Sequence, residues 1–178
     1  MRSGADPTED GGPLFVARAL QGSSRHDNPA HYGALYATRA TESAIAERLR
    51  RFRGQRLTDA DLVRADGRVY ALAAIDDGAL DRVADLDDPQ ELVRRGIRPS
   101  WVATGDRSVT QPIALQVFVD GRDGLAWWST IESSWANVTL FAERALPRVH
   151  VRGSPEVLTT GHVVVRLVAD RLGIQIAS

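Results

Sequence analysis

The sequence predicts a single α+β domain with a mixed or antiparallel sheet. Its 178 residues have the length of one ordinary domain, and 43% hydrophobic with 25% charged residues is a globular composition. Short apolar runs typical of strands and segments of helical periodicity follow one another irregularly, whereas a doubly wound parallel sheet needs a regular alternation. Residues 1–12 lack an apolar run and are predicted to form a flexible tail, which leaves residues 13–178 as the domain.

The first half of the domain is predicted to form three strands and one helix. In chain order these elements are a strand over 13–18, a loop over 21–31, a strand over 35–37, a helix from Thr41 to about Arg53, and a buried strand over 68–75. Apolar and β-branched residues indicate the strands, and Gly, Ser, Asn and Pro indicate the loop. The helix carries Ile45, Leu49 and Phe52 at the spacing of one buried stripe, and Gly54 ends it.

The second half is predicted to form three helices and three strands. In chain order these are a helix from Asp88 to about Gly96, a helix over 108–120, strands over 125–128 and 138–141, a helix over 160–172, and a strand over 174–176. Asp88 is a suitable N-cap and Pro89 suits a first helical position, while Gly173 ends the last helix. Segment 108–120 keeps a strand as its alternative because it is rich in β-branched residues.

The composition excludes several kinds of functional site. Without cysteine the chain has no disulfide, no thiolate zinc site and no cysteine nucleophile, and a cytoplasmic location is expected. All 22 basic residues are arginine, which excludes a Schiff-base lysine and a P-loop lysine. The net charge of -1 and the lack of a long apolar run predict no direct nucleic-acid binding and no membrane insertion. The scattered histidines and the acidic run over 76–88 are expected to hold no metal.

Four polar residues stand where the pattern of elements does not explain them. Arg18 follows the first predicted strand and Arg25 lies in the loop, and their guanidinium groups suit a diphosphate. Glu47 shares a helix face with two alanines, which is either a solvated surface or room for a ligand beside a carboxylate. Ser129 ends an aromatic strand, where its hydroxyl either orients a ligand or belongs to a turn.

Three ordered segments carry a resemblance to a known family. Asn28-Pro-Ala-His-Tyr-Gly-Ala-Leu-Tyr36, with Glu47 eleven residues later, resembles the first half of the RES domain family. Gly124-Leu-Ala-Trp-Trp-Ser129 and Asn137-Val-Thr-Leu-Phe141 are similar to its second half, which normally reads Gly-Ile-Arg-Tyr-Pro-Ser and then Asn-x-x-Leu-Phe. The chain departs from the family at Ser23-Ser24-Arg25, where Gly-Gly-Arg is common, and at Trp128, where proline is usual. The resemblance extends from about Leu14 to Phe141.

The resemblance implies a toxin of a type II toxin-antitoxin system with a fold similar to ADP-ribosyltransferases. Such proteins degrade NAD+ by phosphorolysis or hydrolysis of the nicotinamide glycosidic bond, and some members modify a protein instead. NAD+ is then a substrate, phosphate a possible co-substrate, and neither a cofactor nor a metal is required. The expected partner is a helix-turn-helix antitoxin of the Xre type. Transfer of ADP-ribose to a macromolecule and a non-catalytic interaction domain remain the alternatives.

The resemblance also assigns roles to six residues. It implies Glu47, Arg25 and Ser129 as catalytic residues and Arg18, Tyr36 and Asn137 as substrate-binding residues. Which of the two arginines is essential stays open. Because these residues span more than a hundred positions, only the fold can bring them together. We expect Tyr36, Glu47 and Ser129 to line one cleft together with Arg18 or Arg25.

Overall fold

The computed structural model describes residues 6–177 and confirms the α+β class. Its main sheet has four strands in the order β1-β6-β5-β4. The strands are β1 (Ala34–Thr38), β4 (Val83–Asp85), β5 (Gly124–Trp128) and β6 (Ala136–Phe141). Strand β6 runs antiparallel to both of its neighbours, whereas β4 is parallel to β5, so the sheet is mixed as predicted.

Two smaller strand pairs flank the main sheet. Strands β3 (Ala71–Asp76) and β7 (His150–Val157) form an antiparallel ribbon. The short strands β2 (Arg56–Leu57) and β8 (Gln175–Ile176) pair in parallel, which ties the end of the chain to the segment after the first helix.

The described part of the chain contains six α-helices. They are α1 (Thr41–Leu49), α2 (Pro89–Arg95), α3 (Pro99–Ala103), α4 (Arg107–Val119), α5 (Ala142–Ala145) and α6 (Val163–Arg171). The predicted ends of α2 are confirmed, since the Asp88 carboxylate accepts a hydrogen bond from the Gln90 N–H (2.9 Å) and Gly96 adopts a φ of 65°. Segment 108–120 is a helix, so its strand alternative is wrong. Within residues 6–177, no helix is long and apolar enough to cross a bilayer.

Three clusters of buried side chains hold the sheets and helices together. One face of the main sheet packs against α4, and the opposite face packs against α5 and β7. The third cluster lies between α1 and α6 and includes Ile45 and Leu49 from one helix and Val165 and Val168 from the other. Helix α1, which follows directly on strand β1, is therefore fixed between the sheet and the C-terminal helix.

Two predicted strands differ from the structure. Residues 13–18 form no strand, and a short 3₁₀ turn covers Arg18–Leu20 instead. The Leu14 side chain is buried in the cluster beside α5, but within residues 6–177 no strand pairs with this segment, and a strand requires such a partner. The strand predicted over 68–75 exists as β3, but it is only partly covered because it lies in the two-stranded ribbon rather than in the main sheet.

The tail predicted over 1–12 lies partly outside the described residues, which begin at residue 6. Over residues 6–12 the backbone forms turns, and the Arg68 guanidinium donates a hydrogen bond to the Asp10 carboxylate (2.8 Å). This portion of the segment therefore contacts the body of the protein through an exposed ion pair.

Replacing Gly124 with Ala is expected to destabilise the fold by about 1–3 kcal/mol. A Cβ atom at this position would overlap the Thr139 carbonyl oxygen and lie 3.1 Å from the Leu140 Cα, and both are backbone atoms of the adjacent strand β6. Denaturant unfolding measures the loss. Gly105→Ala is the control, because no atom lies within 4 Å of a Cβ built there. Equal midpoints for the two variants would contradict the close approach of β5 and β6.

Candidate active site

A cleft of about 760 Å³ opens beside one face of the main sheet. Its floor carries Tyr36, Thr38, Trp127 and Asn137. Thr38 and Trp127 are the two cross-strand partners of Asn137, so these side chains share one face of the sheet. The volume lies within the range of about 300–1,000 Å³ typical of small-molecule sites.

Helix α1 and the 3₁₀ turn that continues it form one wall of the cleft. Ala44, Glu47 and Arg50 line it at intervals of three residues, which puts them on one side of the helical segment. Because Ile45 and Leu49 are buried against α6, the Glu47 side is left to the cleft. The Glu47 side chain is 31% exposed, and its Oε2 lies 3.5 Å from the Arg50 Nε. Of the two alanines, Ala44 lines the cleft beside Glu47, whereas Ala40 packs against the cluster between α1 and α6.

Arg25 lies on the opposite wall, next to the segment that joins α3 to α4. Its Nη1 donates to the Val102 carbonyl (2.9 Å) and to the Thr104 carbonyl, and its guanidinium lies 4.6 Å from the centroid of the Trp127 ring. Burial lowers the pKa of Arg25, the Glu47 carboxylate opposes this effect, and the positive charge of Arg50 adds to it. Arg25 and Arg50 therefore place two like charges near one carboxylate.

Asp27, a buried residue that the sequence did not single out, contacts the cleft-lining Tyr36. Its Oδ2 accepts hydrogen bonds from the backbone N–H groups of Gly22 (2.9 Å) and Ser24 (2.7 Å), and its Oδ1 accepts one from the Tyr36 hydroxyl (2.8 Å). Burial raises the pKa of Asp27, but these hydrogen bonds together outweigh it and leave the pKa below its ordinary value. The ionised Asp27 thus anchors the loop that carries Arg25.

Tyr36 is held at its hydroxyl from two sides while its ring lines the cleft. The hydroxyl donates to Asp27 and accepts a hydrogen bond from the His26 backbone N–H (2.9 Å). Burial, above all, raises the pKa of Tyr36 far above its ordinary value. The residue is therefore a neutral phenol at physiological pH, suited to stacking and orientation rather than to accepting a proton.

His26 lies beneath the cleft and is almost completely buried. Its Nδ1 is 2.8 Å from the Thr139 hydroxyl, and its ring meets Trp127 edge to face at 5.3 Å between centroids. Burial first, and the Arg25 charge second, lower the pKa of His26 to about 3. The imidazole is consequently neutral and supports the Arg25 loop without adding a second charge.

Acidification is expected to destabilise the fold through His26. Below its ordinary pKa of 6.5 the unfolded chain binds a proton at this residue, whereas the folded chain does so only near pH 3. The contribution is therefore complete above pH 6.5 and is lost as the pH falls, by at most about 1.4 kcal/mol per pH unit. Denaturant unfolding between pH 6.5 and 4.5 measures this slope, and His26→Asn is expected to flatten it. Identical slopes in both proteins would contradict the assignment.

Asn137 joins the sheet to helix α1. Its Oδ1 accepts a hydrogen bond from the Ser43 hydroxyl (2.8 Å), and both residues are buried. Ser43 precedes Glu47 by one helical turn, so this bond links the strand at the floor to the wall that carries the carboxylate.

A comparison with protein families identifies the family of the chain that carries this cleft. A model of the RES domain matches residues 5–160, a range that includes every residue that lines the cleft. The chain belongs to the RES domain family. RES domains are toxins of toxin-antitoxin systems that act on NAD+. The comparisons with curated proteins and with solved structures gave no match.

Four of the six residues predicted for the RES site meet in the cleft, namely Arg25, Tyr36, Glu47 and Asn137. Ser129 is not among the residues that line the cleft, and it is 1% exposed. Its hydroxyl accepts a hydrogen bond from the Ile131 N–H (3.1 Å), while the next residue, Thr130, lines the cleft. The hydroxyl of Ser129 thus fixes the turn after β5 in this structure.

Arg18 is not among the residues that line the cleft of this RES domain. Its Nε donates to the Pro29 carbonyl (2.7 Å) and its Nη1 pairs with the Glu143 carboxylate (2.7 Å). Glu143 also accepts the Gly33 N–H, so this cluster connects the first loop to α5. The strand that was predicted to carry Arg18 is absent, and the 3₁₀ turn found there directs its guanidinium to these partners.

The charge of the RES cleft is positive because of two arginines that sequence reasoning missed. Arg25, Arg50 and Arg107 line it together with one carboxylate, that of Glu47. Arg107 is the first residue of α4, and no carboxylate within residues 6–177 pairs with it. The spacing of Arg50, three residues after Glu47, was the available signal for one of them. Within the described residues, no three His, Asp or Glu side chains converge as a metal site.

Proposed function

We propose that this RES domain consumes NAD+ by cleaving the bond between nicotinamide and ribose. The observation that carries the proposal is the pairing of one carboxylate, Glu47, with three arginines in a single cleft of suitable volume. NAD+ requires both features, because its diphosphate is anionic and its reacting ribose carbon becomes positively charged as the bond breaks. Family membership supplies the substrate class, and the cleft supports the chemistry.

Glu47 acts on the reacting carbon in this proposal. As the glycosidic bond breaks, its electron pair moves to the pyridinium nitrogen, and nicotinamide leaves as a neutral molecule. The ribose then has oxocarbenium character, which a nearby carboxylate stabilises more strongly in the transition state than in the bound substrate. Water, which loses a proton to the solvent, or phosphate forms the new bond to the same carbon, giving ADP-ribose or its 1-phosphate.

The remaining residues bind and orient the substrate. Arg25 is fixed by two backbone carbonyls, so its free N–H groups are preorganised for a phosphate oxygen. Tyr36 offers a ring for stacking, and its hydroxyl is already held by Asp27. We assign Ser129 a positioning role, since its hydroxyl supports the turn that brings Thr130 to the cleft.

Incubation of the purified protein with NAD+, with and without phosphate, tests the proposal. Free nicotinamide is expected in both cleavage reactions, and ADP-ribose phosphate appears only if phosphate is the acceptor. ADP-ribose attached to added protein or nucleic acid would indicate transfer to a macromolecule instead. Intact NAD+ under all conditions, with a correctly folded protein, would contradict an NAD+-consuming enzyme.

We further propose a helix-turn-helix antitoxin of the Xre type as the partner of this domain. An enzyme that consumes NAD+ in the bacterial cytoplasm would deplete its own cell unless a partner blocked the cleft. The three arginines predict that the blocking segment is acidic. Expression of the chain alone should lower cellular NAD+ and stop growth, whereas normal growth with abundant soluble protein would contradict the toxin role.

A further inference from the structure

Two N–H groups at the floor of the cleft have no acceptor within residues 6–177. They are the Asn137 Nδ2 and the Trp127 Nε1, on side chains that are 2% and 7% exposed. The two residues face each other across β6 and β5, which puts their Cβ atoms about 4.5–5.5 Å apart on one face of the sheet. A buried donor without an acceptor is unfavourable and rare in folded proteins. A neighbouring pair of them in a cleft therefore indicates a position for a ligand's acceptor.

The hydrogen bond from Ser43 determines which half of the Asn137 amide stays available. Because the Ser43 hydroxyl donates to the Asn137 Oδ1, that oxygen is occupied and the NH₂ group is left over. The indole of Trp127 is a donor only. The groups of this pair that lack a partner are thus both donors, which matches an oxygen that carries no proton of its own.

We propose that Asn137 and Trp127 bind the carboxamide oxygen of the nicotinamide group. This inference rests on the proposed function, because it names the part of NAD+ that the floor recognises. Ser43 and Glu47 are one turn apart on α1, so an acceptor bound at Asn137 lies on the Glu47 side of the cleft. In NAD+ the carboxamide is carried by the ring whose bond to ribose breaks, whereas the diphosphate is on the far side of that ribose.

Both N–H groups are closed to solvent in the structure. Entry of the oxygen therefore needs a small shift of the side chains above them, among which the Arg25 guanidinium lies over the Trp127 ring. Because Arg25 also suits a phosphate, a phosphate oxygen of the substrate is the competing acceptor. ADP-ribose has the diphosphate but no nicotinamide, so its binding distinguishes a bound phosphate oxygen from a bound carboxamide oxygen.

The first test measures binding of dinucleotides to the Glu47→Gln variant by calorimetry. The analogue with a thioamide in place of the carboxamide is expected to bind about tenfold more weakly than NAD+, since sulfur is a weaker acceptor. The 3-acetylpyridine analogue keeps the oxygen and replaces the amide NH₂ with a methyl group, so it should bind within about threefold of NAD+. Equal affinity for the thioamide analogue and NAD+ would overturn the proposal.

The second test removes one donor in the same Glu47→Gln background. Trp127→Phe keeps a ring under Arg25 and is expected to weaken NAD+ binding about tenfold while leaving ADP-ribose binding within about twofold. Trp128→Phe is the matched control, because this neighbour packs against the core and does not line the cleft. Equal losses for NAD+ and ADP-ribose would overturn the assignment in favour of a phosphate oxygen.

The proposed function is tested separately, by measuring nicotinamide release by the wild-type protein. Weaker binding of the thioamide analogue than of NAD+, without release of nicotinamide, would contradict the proposed enzyme activity and support the role of the donor pair. Release of nicotinamide without a difference in binding between the dinucleotides would support the enzyme activity and contradict the role of the donor pair. No measurable binding of NAD+ would overturn both.

Discussion

Replacing Glu47 with Gln is expected to lower NAD+ consumption by about 100-fold or more. The change keeps the size of the side chain and removes only its charge, which is the property that stabilises a positive ribose carbon. Little stability should be lost, because Glu47 is partly exposed and its ion pair with Arg50 spans 3.5 Å. The main effect should appear in kcat, since the charge on the carbon develops only in the transition state.

Initial rates of nicotinamide release at saturating NAD+ measure this effect, with thermal unfolding as the check on the fold. Glu42→Gln is the matched control, because Glu42 lies on the same helix and does not line the cleft. It should keep the wild-type rate within about twofold. A Glu47→Gln protein that turns over like the wild type would favour the non-catalytic alternative.

The helices could be predicted from the sequence because their signals are local. Asp88, Pro89 and Gly96 define both ends of α2 within ten residues, and the stripe of α1 is visible in the spacing of Ile45 and Leu49. Strands depend on a partner that is distant in sequence. Residues 13–18 have the composition of a strand, but the structure brings no strand beside them. Composition alone could not predict that residues 13–18 lack a partner strand within the described part of the chain.

The same distinction between local and non-local signals applies to the residues of the site. Glu47 and Arg25 stood out from the residue pattern, and family resemblance added the non-local information that gave them expected roles. Arg107 and Trp127 become part of the cleft only through the packing of α4 and the register of β5, which no local pattern specifies. Asp27 had the composition of an ordinary loop residue, and its buried hydrogen bonds to two backbone N–H groups depend on the folded loop.

The family match ends at residue 160, yet the chain after it supports the wall of the cleft that carries Glu47. Helix α6 begins at Val163 and packs against α1 through the cluster that contains Ile45, Leu49 and Val165. Strand β8 then pairs with β2, which lies just after the turn that carries Arg50. The position of Glu47 therefore depends on a C-terminal segment outside the region that the family model covers.

Comparing Arg25→Lys with Arg18→Lys is expected to identify the essential arginine. Arg25→Lys should lower kcat/KM for NAD+ by about 10- to 100-fold, although the charge is kept. A lysine cannot bond two carbonyls through one nitrogen, lie flat over Trp127 and present further N–H groups to a phosphate at the same time. Arg18→Lys should leave kcat/KM within about twofold, because Arg18 pairs with Glu143 outside the cleft.

The two variants also differ in how the loss should divide between binding and turnover. Arg25 contacts the substrate's diphosphate in our proposal, so its loss should raise KM for NAD+ more than it lowers kcat. Binding of ADP-ribose should weaken in parallel, whereas binding of free nicotinamide should not. Unfolding midpoints identify any loss that comes from the backbone carbonyls of the α3–α4 segment rather than from the ligand. If Arg18→Lys were the variant that lost activity, the cluster around Glu143 would have to control the cleft, and the assignment of Arg25 would be wrong.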